Sequence, residues 1–235
     1  MIKLGSVQSS TIQNAVYEEL LEGVLSGRIS PGEKLTIENI AKLMGVSLTP
    51  VRVALQRLEV ENFIRIGKNR RITVTELSAN NLLELLEIRL MLECYAAEKA
   101  CKRRSEESVI QLTAINDKCD AAETPDAYLQ ANREFHRIIY SEANMPMLEE
   151  IISLLWKRAS PYLHILLRSE DDFKAGNFNK NHNGMLTAMR KRDPQGMKRW
   201  LTKDLTEAAR FVRRRLEKER GSEKYLQEIL EHESK

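Results

Sequence analysis

Four polar side chains interrupt apolar helical stripes in the second half of the chain. Asn132 and His136 are four residues apart on one stripe, His182 lies on a second, and Asp204 lies on a third. Buried polar groups need hydrogen bonds, and a buried carboxylate must be paired or must ligate a metal. If the three helices form one bundle, these side chains can converge on one centre. Two imidazoles and a carboxylate can hold Zn, Ni or Mn, and the residue types alone do not choose among these metals.

The alternative to a metal centre is a metal-free network in which Asp204 pairs with a histidine or with Arg89. Arg89 lies on an otherwise apolar stripe, and its guanidinium suits a carboxylate ligand, so it is a candidate for binding a small acid. The competing interpretation is a surface ion pair with Glu93, four residues further on. Asn132 and Tyr162 are two further candidates for binding such a small acid, which would be the effector of the protein.

A different chemistry is indicated in the first half, in the stretch GVSLTPVRVALQRLE. Apolar residues recur there at helical spacing, which predicts that they face a core: Val51, Ala54, Leu55 and Leu58. The outward face then carries Arg52, Val53 and Gln56, with Thr49 capping a helix that starts at Pro50. A helix that enters the major groove of DNA uses its N-terminal residues and this outward face. Arg52 can pair bidentately with guanine, and Thr49 suits a phosphate.

A basic hairpin is predicted directly after this helix. FIRI and RITVT alternate as strands do, and GKNR between them has turn residues. The hairpin supplies four cations, namely Arg65, Lys68, Arg70 and Arg71. Two interpretations remain open: a solvated basic turn, or a wing that contacts DNA phosphates or the minor groove.

The surrounding elements predict a mainly α protein with two domains. Helices over 9–27, 36–45 and from residue 50, a turn over 29–35 and the hairpin have the order of a winged helix-turn-helix, which we assign to residues 1–77. Residues 78–220 are predicted to form an all-helical domain for effector binding and dimerisation, with its last helix ending near residue 219. Residues 221–235 are left as a tail or a short helix.

Composition narrows the classes of protein that fit. The chain has 235 residues, of which 30% are charged and 6% aromatic, and its net charge is only +3. Any affinity for nucleic acid must therefore come from local basic surfaces. Three cysteines without a CxxC pair argue for a reducing cytoplasm. No apolar run is long enough to predict a membrane span.

Several motifs, taken in order, resemble one family of bacterial regulators. GRISPGEKL, IAKLMGVSLTPVRVALQRLE, RRITV and LLEIRLMLE look like the GntR superfamily, and the helical second half resembles its FadR-type (FCD) effector domain. The resemblance implies a homodimer on a palindromic operator that is controlled by a small organic acid. It also implies that Arg89 faces the ligand cavity. Many members hold a divalent metal with one Asp and three His; here those positions fall on Asn132, His136, His182 and Asp204.

The DNA-reading stretch departs from the pattern of that family. Members usually carry SRTPVRE, whereas this chain has SLTPVRV, so Leu48 and Val53 replace an Arg and a Glu. The usual RG of the wing is Arg70-Arg71 here. We interpret this as altered specificity, in which Leu48 and Val53 contact thymine methyl groups. The alternative is that Leu48 packs beneath the helix and reads nothing.

These observations favour a ligand-responsive, DNA-binding transcription regulator, and they favour a repressor over an activator. One rival class is a metal-dependent hydrolase or lyase that uses His136, His182 and Asp204. The other is a helical adaptor whose winged domain binds protein. Nothing beside that cluster looks like a separate general base or nucleophile, which argues against an enzyme. The basic wing and Arg52 argue against an adaptor.

Overall fold

A computed structural model describes residues 11–67, 71–167 and 179–233, with side chains described up to residue 218. The chain divides into two compact units, one up to Glu76 and one from Leu77 onward.

The first unit is a helical triad with a small sheet. Its helices are α1 (Thr11–Leu25), α2 (Ile37–Met44) and α3 (Leu48–Val60). Its strands are β1 (Lys34–Leu35), β2 (Ile64–Ile66) and β3 (Ile72–Val74), which form an antiparallel sheet in the order β1-β3-β2. This is the predicted winged helix-turn-helix.

Local sequence explains where α2 begins and ends. The Thr36 hydroxyl accepts a hydrogen bond from the Asn39 N–H (3.3 Å), which caps the helix at its start. Gly45 ends it with φ = 64°, a left-handed conformation that glycine adopts without steric cost. The prediction of a plain turn over 29–35 missed β1, because two residues are too short to show alternation and their pairing with Ile72 and Thr73 is non-local.

The second unit is all-helical within the residues that the structure describes. Its helices are α4 (Ala79–Arg103), α5 (Glu106–Asp120), α6 (Pro125–Ser141), α7 (Pro146–Leu166), α8 (Lys180–Lys191) and α9 (Pro194–Glu233). Three of these helices start at a hydroxyl that accepts a backbone N–H, on Ser78, Ser105 and Thr124. The mainly α fold class is therefore confirmed.

One helix end differs from the prediction. Instead of ending near residue 219, α9 continues to Glu233 through the segment that we predicted as a tail or a short helix. The glycine at position 221 does not end the helix, because a single glycine costs a helix only about 1 kcal/mol relative to alanine. The Glu, Lys and Leu residues around it are strong helix formers, so the glycine is tolerated.

The long helix α4 is the centre of the second unit. It packs against α6, α7 and α9, while α5 packs against α6 and α8. The interior is not purely apolar, because it also buries a set of polar side chains: Arg89, Glu93, Asn132, His136 and His182.

A glycine sets the closest approach between α8 and α9. A Cβ atom placed on Gly184 would lie 2.2 Å from Cδ2 of Trp200 and 2.4 Å from its Cε2. Such distances do not occur between non-bonded carbon atoms, so the indole of Trp200 occupies the space that any side chain at position 184 would need. The backbone of α8 therefore packs directly against the Trp200 ring of α9 at this level.

Among the described residues, no helix combines the length and the apolar character that crossing a lipid bilayer requires.

Candidate functional site

The reading helix α3 starts two residues earlier than predicted. Its N-cap is Ser47, in an extended conformation and without a side-chain capping bond, and Leu48 is its first residue. The prediction that Thr49 caps a helix beginning at Pro50 is therefore wrong. Pro50 lies in the first turn instead, where the missing N–H has no partner to lose and a fixed φ suits the helix.

The core face of α3 matches the spacing of its apolar residues. Val51 and Ala54 are fully buried, as are Leu55 and Leu58, against α1 and the sheet. The opposite face leaves Leu48, Thr49, Arg52 and Gln56 exposed, with Val53 half-buried. Leu48 is 39% exposed, which is inconsistent with a side chain packed beneath the helix. Its role in reading DNA stays a prediction.

A clamp between α1 and α3 was not predicted from the sequence. The Tyr17 hydroxyl donates to Oε2 of Glu61 (2.7 Å), and the Arg57 guanidinium lies 3.7 Å from the centre of the Tyr17 ring. Arg57 also donates to the Asn14 amide oxygen (3.0 Å). Burial, followed by the bond to Glu61, raises the pKa of Tyr17, so it remains a phenol that can donate. The clamp fixes the reading helix against α1. In the sequence, only the four-residue spacing of Arg57 and Glu61 hinted at these contacts.

A side-chain hydrogen bond links the wing to the reading helix. Oε1 of Glu59, near the end of α3, accepts the backbone N–H of Ile66 in β2 (3.0 Å). Arg65 is exposed on β2, and Arg71 is exposed directly before β3. Lys68 and Arg70, the other two predicted wing cations, lie outside the described residues.

A cavity of about 250 Å³ opens in the second unit, between α4, α6, α7, α8 and α9. Four of the predicted site residues line it: Arg89, Asn132, His136 and Asp204. Residues that the sequence reasoning did not single out also line it, among them Trp156, Asn181 and Glu207. The Asn181 amide nitrogen donates to Oε2 of Glu207 (2.9 Å), which fixes the orientation of that amide. Asn181 precedes His182 directly, and this adjacency was the available signal.

Three potential metal ligands meet beside this cavity. One side-chain ligand atom each from His136 (α6), His182 (α8) and Asp204 (α9) lies within 4.8 Å of the other two. One of these contacts joins Nε2 of His136 to Oδ2 of Asp204 (3.4 Å). From the sequence we expected Asn132, His136, His182 and Asp204 to converge. The structure brings the last three together and leaves Asn132 buried one turn away on α6, facing the cavity.

His182 is held in the neutral state and has no hydrogen-bond partner in the described part of the protein. Its ring is fully buried and stacks on Phe135 at 4.3 Å, and neither Nδ1 nor Nε2 has a partner. Burial lowers its pKa to about 4, outweighing the effect of Asp204. Neutral imidazole is the form that ligates metals. Two orphaned nitrogens in a core normally carry a cost, so they call for an explanation.

Asp204 is the anionic member of the group. Burial raises the pKa of Asp204, but the groups that face its carboxylate, His136 and Arg89 among them, outweigh burial, so the net pKa is lowered. The side chain is therefore a carboxylate at neutral pH. Nε2 of His136 lies 3.4 Å from this carboxylate, and the choice between a metal centre and a metal-free network stays a prediction.

Arg89 both lines the cavity and pairs with Glu93. Its Nε donates to Oε1 of Glu93 (2.5 Å) and its Nη2 to Oε2 (3.3 Å). The alternative of a surface pair is wrong, because Arg89 is buried and Glu93 is fully buried inside the bundle. Two of the five N–H donors of Arg89 thus point at Glu93, and its guanidinium lies 4.7 Å from the Trp156 ring.

Tyr162, the other candidate effector residue, lies outside this group. Its hydroxyl donates to the backbone oxygen of Ser78 (3.3 Å) and accepts the Ser78 N–H (3.4 Å). It lines a neighbouring apolar cavity of about 20 Å³, to which Arg89 also contributes. The proline before it gave no information about the direction of the ring.

Two family models match the chain. The FCD domain matches residues 84–207, and the model of bacterial regulatory proteins of the gntR family matches residues 12–74. Among curated proteins, the chain is 29% identical over 200 residues to the HTH-type transcriptional regulator McbR of Escherichia coli K12, covering 84% of this chain and 90% of that protein. It is 30% identical over 207 residues to the HTH-type transcriptional regulator YcbG of Bacillus subtilis 168, covering 82% and 86%.

A solved structure extends the similarity to three dimensions. The structure of E. coli McbR/YncC matches with a TM-score of 0.77 and 27% identity, covering 88% of this chain and 99% of that one. These matches agree with an exposed reading helix, a basic hairpin and a helical domain whose cavity has polar residues in its wall. The chain belongs to the GntR family of bacterial transcriptional regulators, with a DNA-binding helix-turn-helix domain followed by an FCD effector-binding domain, and it is not an enzyme.

Proposed function

We propose that this regulator is a cytoplasmic homodimeric repressor whose FCD domain binds a small carboxylate effector beside a divalent metal. The observation that carries the metal is the group formed by His136, His182 and Asp204, with three ligand atoms within 4.8 Å of one another. We propose Zn, Ni or Mn as the metal, since two imidazoles and a carboxylate suit each of them. Asn132 is the candidate for a fourth ligand or for the first contact of the effector.

The residues present fit a metal on chemical grounds. The ring nitrogens of His182 have no hydrogen-bond partner among the described residues, and the Asp204 carboxylate lies 3.4 Å from Nε2 of His136. A cation between the three side chains would be a partner for both groups. The metal would supply a Lewis acid toward a bound carboxylate. Relative to the family pattern that the sequence resembles, one carboxylate has moved from position 132 to position 204, so the ligand charge is unchanged.

The cavity supports a small acid as effector. Its volume of about 250 Å³ is below the range of roughly 300–1,000 Å³ that is typical of drug-sized ligands. Arg89 lies in its wall and keeps N–H donors beyond the two that point at Glu93. A guanidinium in a partly apolar wall binds an oxyanion strongly, because water does not compete there.

The reading heads support sequence-specific binding to double-stranded DNA. Arg52, Thr49 and Gln56 are exposed on the outward face of α3, and Arg65 and Arg71 are exposed on the hairpin. A homodimer would present two such heads to two half-sites of a palindrome. The effector acts as a switch only if it binds two arrangements of the dimer with different affinity. Release from DNA on effector binding is what defines the repressor that we propose.

The experiment is metal analysis of the full chain, purified without a His-tag. We expect about one divalent ion per chain, and a lower melting temperature after EDTA treatment that is restored by adding the same ion. A ligand present at 100 times its Kd adds about 2.7 kcal/mol of stability. A protein that holds no ion, and whose melting EDTA does not change, contradicts the metal and leaves the hydrogen-bonded network.

A further inference from the structure

Four buried side chains form a continuous line of hydrogen bonds from the cavity wall to the proposed metal ligands. Nε of Arg89 donates to Oε1 of Glu93 (2.5 Å), and the Tyr140 hydroxyl donates to Oε2 of the same carboxylate. The Tyr140 oxygen then lies 3.1 Å from Nδ1 of His136. At most 7% of any of these four residues is exposed, so water does not substitute for any of the bonds.

Counting hydrogens along this line shows which ring nitrogen of His136 must carry one. A phenol has one hydrogen, and Tyr140 gives it to the Glu93 carboxylate, which can only accept. Burial, followed by the charge of Glu93, raises the pKa of Tyr140, so the hydroxyl keeps that hydrogen. Its oxygen can therefore only accept from His136, and Nδ1 of His136 must be the donor. A neutral ring that carries its hydrogen on Nδ1 has a lone pair on Nε2.

That lone pair lies where the proposed metal would be bound. Nε2 of His136 is 3.4 Å from Oδ2 of Asp204, and His182 completes the group. Without the Tyr140 oxygen as an acceptor for Nδ1–H, the other tautomer would be preferred, because Nε2–H could donate to the Asp204 carboxylate. A metal would then have to displace that hydrogen before it could bind.

We propose that Glu93 and Tyr140 are positioning residues for the metal centre: they keep the hydrogen of neutral His136 on Nδ1 and so present Nε2 to the metal. The inference rests on the proposed metal site. Outer partners of this kind orient a histidine ligand and raise its basicity, and their loss typically weakens metal binding about 10–100-fold. Because Arg89 also pairs with Glu93, the same line joins the effector wall to the metal ligand.

The direct test is the position of the hydrogen on His136 in metal-free full-length protein. Long-range ¹H–¹⁵N correlation spectra of ¹⁵N-histidine-labelled protein distinguish the two tautomers, and a His136→Gln variant assigns the signal among the four histidines. The ¹⁵N shifts of a neutral ring differ from those of a protonated ring, so the same spectra show which state is observed. We expect the wild-type ring to carry its hydrogen on Nδ1 and the Tyr140→Phe ring to carry it on Nε2.

A second variant tests the same step without removing the hydroxyl. In Glu93→Gln, the amide oxygen would face the donors of Arg89, so the amide NH₂ would face Tyr140 and donate to it. The hydroxyl would then turn and donate to Nδ1 of His136, which again moves the ring hydrogen to Nε2. This isosteric change keeps the inference testable if Tyr140→Phe folds poorly.

The matched control is Tyr162→Phe, because Tyr162 is also a buried tyrosine of this domain but its hydroxyl bonds to the backbone of Ser78. We expect it to retain the wild-type tautomer and Zn²⁺ affinity, while Tyr140→Phe and Glu93→Gln lose Zn²⁺ affinity about 10–100-fold. Failure of Zn²⁺, Ni²⁺ and Mn²⁺ to bind the wild type overturns the metal site itself. A wild-type ring with its hydrogen on Nε2, or a tautomer unchanged by Tyr140→Phe and by Glu93→Gln, overturns the positioning role even where metal binds.

Discussion

The DNA-binding unit carries its functional polar residues on the surface, whereas the effector domain buries them in its core. In the first, an apolar core of residues such as Val51 and Leu55 supports Arg52 and Arg71 at the surface. In the second, His136, His182 and Glu93 are themselves core residues, almost completely buried. A surface cation can meet a phosphate on any DNA, and its contribution is screened by salt. A buried polar group acts only on what enters the interior, and it is costly when its partner is missing.

The largest effect is expected at the exposed side of this comparison, for Arg52→Ala. A bidentate pair with guanine contributes about 1–3 kcal/mol of discrimination, and a dimer loses it on both half-sites. Specific binding should therefore fall to the level of binding to random DNA. The measurement is a titration of an operator selected from a random DNA pool against an unrelated duplex. Arg28→Ala is the control, since Arg28 is an exposed arginine of the same unit paired with Glu19. Equal affinity of Arg52→Ala and wild type for the operator would exclude Arg52 as a base reader.

The next effect concerns the buried side, for His182→Gln. The variant removes one of three ligands, so we expect loss of the bound metal and of the effect of EDTA on melting, a change of about 2.7 kcal/mol at 100 times Kd. His164→Gln is the matched control, because His164 lies on α7 and does not belong to the ligand group. Metal content and scanning calorimetry are the readouts. A His182→Gln protein that holds as much metal as wild type would refute the ligand set.

The third prediction concerns whether the charges of the wing bind DNA regardless of its sequence. Arg71→Ala and Lys68→Ala should each weaken binding to operator and random duplex alike, and should reduce the slope of log K against log salt by about 1 per lost phosphate contact. Lys118→Ala, a change of an exposed lysine in the effector domain, should leave the slope unchanged. If the slopes of the wing variants equal that of wild type, the hairpin is only a solvated basic turn.

The smallest effect in affinity, but the sharpest in specificity, is expected for Leu48→Arg. Leu48 is exposed at the first turn of α3, where a thymine methyl group can meet it. The variant should change which operator is preferred more than it changes binding to random DNA. Leu43→Arg adds the same charge to an exposed position of α2 and should not change the preference. If Leu48→Arg strengthens binding equally on all sequences, Leu48 takes no part in reading.

The sequence predicted the DNA-binding unit from periodicity and caps, and its errors there are local. The start of α3 and the strand β1 depend on one or two residues whose conformation is decided by non-local pairing. In the effector domain, His136, His182 and Asp204 were found because a polar residue inside an apolar stripe is conspicuous. Glu93 and Tyr140 were not recognised as a network, because helical spacing does not show which buried groups of α4 and α6 share a hydrogen bond.

The close packing at Gly184 has a consequence for how this protein tolerates change. Gly184 lies two residues after His182, and Trp200 lies four residues before Asp204, so the missing side chain determines how near the two ligands can come. A single added methyl group would act as a spacer between α8 and α9 and pull the imidazole away from the carboxylate. Gly184→Ala would thus resemble a ligand mutation in its effect, although residue 184 contributes no ligand atom of its own.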